Sequence, residues 1–114
     1  MAVTLAWVLG LVLTLVGVLG FFNDPVLGIF EVDPVHNVIH LLSGLVGLFA
    51  ASKGMTYARQ YLIVFGLIYA VVTVLGFTME SPLLGLVSVN DWDNYLHAAI
   101  AAVSLLVGFS GKKS

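Results

Sequence analysis

The chain has no cysteine. That excludes disulfides, thiolate metal sites and cysteine nucleophiles. Proline occurs only three times in 114 residues. The deepest deficit is in charge. Lys and Arg number four and Asp and Glu six, 9% of the residues together, against about 25% in a typical soluble domain. A surface so thinly charged is not kept wet. Four scattered basic side chains also make no patch that tracks a phosphate backbone, so nucleic acid is excluded as a partner. What is present is apolar: 61% of the residues are hydrophobic and the mean hydropathy is +1.12. The solvent that suits such a chain is lipid.

A helix needs about 20 mainly apolar residues to cross a bilayer. Four such stretches occur, at about 2–22, 34–51, 58–77 and 91–109, and with short loops they nearly exhaust the length. The chain therefore reads as one all-α domain, an integral membrane four-helix bundle. The first stretch carries no charge. It has no basic leader before it, is too long for the apolar part of a secretion signal, and no small-x-small cleavage site follows, so it reads as a span. Orientation follows from Lys and Arg in the short connections. Lys53 and Arg59 lie between spans two and three, and Lys112 and Lys113 follow span four. All six acids (Asp24, Glu31, Asp33, Glu80, Asp91 and Asp93) fall on the other side. The expected location is the cell (inner) membrane, with the middle connection and both chain ends cytoplasmic. Trp7, Tyr57 and Tyr61 then fall near the inner interface, and Trp92 and Tyr95 near the outer one, where amphipathic rings belong.

The two halves resemble each other. Leu9 to Phe21 aligns with Phe65 to Phe77 at a shift of 56, and Pro25-Val26-Leu27-Gly28 answers Pro82-Leu83-Leu84-Gly85 at 57. Val32, Asn37 and His40 answer Val89, Asn94 and His97 at the same shift. The order of the rarer Pro, Gly, Asn and His carries the match. Two tandem helical hairpins are expected, about 1–55 and 56–114, related in parallel by a pseudo-twofold axis along the membrane normal. Asp33-Pro34 reads as a helix start, an N-cap followed by Pro at the first helical position. Asn90-Asp91 is its counterpart, with Asp93 placed to complete a capping box. The apolar segments Val26–Phe30 and Leu83–Val87 are expected to fold over the outer end of the bundle.

Spans two and four each carry one polar and small-residued face. On span two it is Asn37, His40, Gly44, Gly47 and Ala51; on span four, Asn94, His97, Ala101, Ser104 and Gly108. Steps of three and four residues place each set on one side of a helix. Small residues at that spacing let backbones approach in lipid, so Gly44, Gly47, Ala101 and Ser104 are candidate packing positions, and spans two and four are expected to meet. The polar cluster His36, Asn37, His40, Asp93, Asn94 and His97 then lies near the outer surface. Polar side chains at membrane depth face the bundle interior and point to function. Several roles are open. The cluster ties helices together by hydrogen bonds; His40 and His97 ligate a haem; the histidines and nearby acids hold a divalent metal; or protons or ions pass. Packing and interaction lead, with no cofactor required and with homo-oligomers or a larger membrane complex as partners. No nucleophile, base and orienting group occur together, so an enzyme is not expected.

Asn37 to Leu48 reads N-V-I-H-L-L-S-G-L-V-G-L. This resembles an N-x-x-H-L-x-x-G-x-x-G-L signature in small bacterial four-span membrane proteins of a domain-of-unknown-function family. The preceding D-P-x-H-N segment and the N-x-x-H of the last span are similar too. In the second copy Leu41 is replaced by Ala98 and Gly44 by Ala101. The resemblance implies the four-span fold and no activity.

Overall fold

The computed structural model describes residues 1–22, 34–79, 81 and 89–110. The Asp33 cap, the remaining acids Asp24, Glu31 and Glu80, the two apolar outer segments, and Lys112 and Lys113 lie outside the described residues.

Four helices make up the described chain: α1 (Ala2–Gly20), α2 (Pro34–Lys53), α3 (Met55–Thr78) and α4 (Asp91–Gly108). No strand occurs among the described residues. At a rise of about 1.5 Å per residue the helices run about 27–36 Å, matching a hydrocarbon core of about 30 Å. α1, α2 and α3 are long and apolar enough to cross a membrane, with mean hydropathies of 2.5, 1.5 and 2.2. Only 33%, 44% and 22% of their most apolar stretches are buried inside the protein. Most of this apolar surface therefore faces outward, an arrangement that water would penalise and lipid does not. α4 falls below that hydropathy because its first two turns hold Asp91, Asp93, Asn94 and His97. Three of these four turn inward and are buried.

Local chemistry fixes the helix ends. Asn90 accepts from the Asp93 N–H at 2.9 Å, and the Asn90 N–H donates to Asp93 Oδ2 at 2.9 Å. This is the capping box read from the sequence, and it satisfies two of the donors that a helix start leaves open. Between α2 and α3 stands one residue, Gly54, at φ 107° and ψ −173°. That backbone region is essentially reserved for glycine, so the chain reverses there in a single step.

The interior is layered along the bundle. At the α2–α3 turn end, Ala2, Ala6, Ala50, Ala51 and Ala58 pack with Tyr61 and Leu62. The middle holds Leu13, Tyr69, Ile100 and Ala101. At the opposite end, in the first turns of α2 and α4, the buried layer is polar. α1 packs chiefly on α2 and α3 chiefly on α4, and α1 also meets α3. The expected meeting of spans two and four does not occur at the backbone. No Cα of α2 comes within 8 Å of one in α4. The small faces serve the neighbouring helices instead, and long side chains fill the diagonal.

Candidate functional site

All six members of the sequence-read cluster are buried, with His40 and Asp93 at 0% exposure. Asp93 closes the α4 capping box, and the other five form two tiers with different partners.

The asparagines act within each hairpin. Asn94 Nδ2 donates to the Gly76 carbonyl at 3.0 Å. Gly76 lies in the last turn of α3, where carbonyls lack helical partners, so the carboxamide supplies one. A Cβ on Gly76 would collide with Asn94 Oδ1, and a Cβ on Gly20 at the end of α1 would collide with Asn37 Oδ1. In both hairpins a glycine makes room for the asparagine of the next helix. Neither Oδ1 has a conventional donor within reach among the described residues. Each sits over glycine Cα–H groups, the weak donors that recur at close helix contacts.

The contact continues along both hairpins. A Cβ on Gly17 would stand 2.7 Å from the Leu41 nitrogen, and one on Gly10 would stand 2.8 Å from the Leu48 nitrogen. Gly44 lies against Thr14 and the Gly10 carbonyl. In the second hairpin Gly66 lies against Leu105 and Ser104, and Gly108 against Ile63. Of the four candidate packing residues, Gly44 therefore serves α1 and Ser104 serves α3. Ala101 joins the middle core layer, and Gly47 receives the ring of Tyr61 from α3.

The histidines act between the hairpins. Nε2 of His36 and of His40 stand 3.1 Å apart, one helical turn apart on α2. His40 Nε2 reaches His97 Nε2 of α4 at 3.4 Å. Nε2 is thus the nitrogen of His40 that faces both neighbours. One ligand atom from each of the three rings lies within 4.8 Å of the others. The ring centroids are 4.3, 5.4 and 5.7 Å apart. His36, read from the sequence as a polar-cluster member beside the His40 and His97 pair, is thus a full member of one triad. The Nδ1 atoms of His40 and His97 have no partner among the described residues.

A haem between His40 and His97 does not fit this packing. With metal–nitrogen bonds of about 2 Å, trans ligands stand about 4 Å apart with the macrocycle between them. Here the two Nε2 atoms stand only 3.4 Å apart, and the ring of His36 packs 4.3 and 5.4 Å from theirs.

Beneath the triad lies a hydroxyl chain that the sequence reading missed. The Tyr69 ring stands 5.4 Å from that of His97. Its O–H donates to Ser43 Oγ at 3.0 Å, and Ser43 Oγ donates to the Ile39 carbonyl at 2.6 Å. Tyr61 O–H donates to the Ser43 carbonyl at 2.8 Å. Tyr61 lies in the layer at the α2–α3 turn end and, unlike the other expected interface rings, is buried, because that hydrogen bond and the gap at Gly47 hold it inside. Trp7, Tyr57, Trp92 and Tyr95 are exposed, as interface rings are.

The family model for a domain of unknown function, DUF4383, matches residues 4–110. The chain belongs to that family. No curated protein and no solved structure matches it. The DUF4383 match covers α1 from residue 4 onward, the whole of α2, α3 and α4, both asparagines and the histidine triad, so the candidate site lies inside the family's domain and not in an appendage.

Proposed function

We propose that this DUF4383 chain is a non-enzymatic, small multi-pass protein of the inner membrane, built from two tandem hairpins. Its outer-leaflet Asn/His cluster acts in helix packing and interaction. One observation carries this reading: the Asn–Gly lock occurs twice, at Asn37 with Gly20 and at Asn94 with Gly76. The Gly10 contact to Leu48 likewise has its counterpart in Gly66 against Leu105. These pairs fall at the repeat spacings of 56 and 57 residues. The asparagines fasten helices within hairpins, and the histidines meet across them. In lipid no hydrophobic force draws helices together, so close packing and interhelical hydrogen bonds bear that role. Lys53 and Arg59 support a cytoplasmic α2–α3 turn, with the cluster toward the other side.

Gly20→Ala and Gly76→Ala test it in denaturant titrations of the detergent-solubilised protein. Each is expected to lower stability by about 1–3 kcal/mol through overpacking, and Asn94→Ala to compensate part of the Gly76→Ala loss. Glycine variants as stable as the parent would refute the locks. A second reading, ligand binding by the histidines, is favoured by the approach of their Nε2 atoms.

A further inference from the structure

We propose that His36, His40 and His97 bind one divalent first-row transition ion of the zinc type through Nε2, and that the ion is exchangeable rather than structural. This rests on the second reading of the site and gives it a ligand set and an ion class.

The starting point is an arithmetic of ring protons. A neutral imidazole has one N–H and one lone pair. His40 Nε2 stands 3.1 Å from one ring nitrogen and 3.4 Å from another. It carries either a proton or a lone pair, so it cannot donate to one neighbour while accepting from the other. At most one of the two contacts is a well-formed hydrogen bond. The other leaves two nitrogens facing without a shared proton. Protonating the rings would set like charges a few ångströms apart in a low-dielectric interior, which is worse. A cation among the rings accepts every lone pair at once.

The geometry suits that cation. Tetrahedral bonds of about 2.0–2.1 Å place ligand nitrogens about 3.3–3.4 Å apart. Two of the three edges of the triad already measure 3.1 and 3.4 Å. One ring nitrogen from each of the three histidines lies within 4.8 Å of the others, a spread at most about 1.5 Å beyond that tetrahedral spacing. Three imidazoles with no thiolate select against soft monovalent ions, and the lack of oxygen donors in the set selects against Mg²⁺ and Ca²⁺. Three protein ligands leave the fourth position to water or a small anion, the pattern of open sites.

The outer shell decides lability. With Nε2 on the metal, each Nδ1–H needs an acceptor to orient the ring, and such partners are worth about 10–100-fold in affinity. His40 and His97 have none among the described residues. Two of the three ligands therefore lack the outer-shell partner that tightens such a site, and the ion leaves readily. Two ligands come from α2 and one from α4, whose backbones do not approach each other. The ion fastens the open diagonal of the bundle, so loading raises stability by mass action.

The test uses tag-free, full-length protein in nanodiscs, stripped with a chelator and titrated with Co²⁺, then Zn²⁺. The expected result is one Co²⁺ per chain, with the intense visible bands of a tetrahedral nitrogen site. Zn²⁺ then displaces it, EDTA removes it, and reloading restores it. His36→Ala and His97→Ala are each expected to weaken binding by at least about 100-fold, beyond what outer-shell partners alone contribute. Where a variant loses helical circular dichroism, His36→Gln, which keeps the bulk of the ring position, takes its place. Asn37→Ala, which disturbs packing and removes no ligand, is expected to retain the bands. Absence of the bands at one equivalent, or bands that survive removal of His36 and His97, would overturn the site. An ion that EDTA cannot extract would overturn its exchangeability. Neither result touches the Asn–Gly locks, whose failure is read from the glycine variants.

Discussion

Asn37 and Asn94 show how little room separates a hydrogen bond from a clash at this packing density. Each carboxamide occupies the volume that a methyl group would take on the preceding helix. Asn94→Ala removes the bond to the Gly76 carbonyl, and about 0.6–1.7 kcal/mol of stability is expected to go with it, the range of interhelical polar contacts in lipid. Tyr69→Phe removes only the O–H that reaches Ser43 Oγ. A loss of about 1 kcal/mol is expected, with helicity unchanged, measurable by the same denaturant titration. At this scale much was legible. Asn and His within an apolar stretch announce themselves, because only an interior partner makes them tolerable there. Tyr61, Tyr69 and Ser43 were not legible as a set. A tyrosine is equally at home at a membrane interface, and a serine bonding back to its own helix leaves no mark in the sequence. The one available signal was Ala58, Tyr61, Leu62, Gly66 and Tyr69 at steps of three and four, the buried face of α3.

Among the helices, the bounds follow closely from composition and caps. Spans read at about 2–22, 34–51, 58–77 and 91–109 became Ala2–Gly20, Pro34–Lys53, Met55–Thr78 and Asp91–Gly108. Partner choice did not follow. Small residues on α2 and α4 signal close approach but do not name the helix that approaches. The α1 and α3 glycines took up those faces, and α2 and α4 were left apart with imidazoles between them. Gly54 is the element-level test. Any side chain there meets a backbone conformation that costs about 1–3 kcal/mol outside glycine. Gly54→Ala is expected to lower stability by that amount although nothing lies within 4 Å of the new methyl group. A neutral result in denaturant titration would mean that the turn relaxes to another conformation.

For the whole molecule, the bilayer reading rests on apolar surface that the bundle does not bury. Leu15, Phe49, Val74 and Leu106 all point outward from spans. The sorting of charge then predicts sidedness. In intact cells a membrane-impermeant thiol reagent is expected to label Trp92→Cys and to spare Lys53→Cys until the membrane is opened; the reverse pattern would invert the topology. The Gly54 turn also has a consequence for how the molecule divides. It is the single covalent joint between two helix pairs, each holding its own asparagine and glycine. A gene broken at that codon would yield two fragments, neither missing any part of its internal fastening. Coexpressed, they should find each other in the membrane and complement, with the imidazoles as the seam.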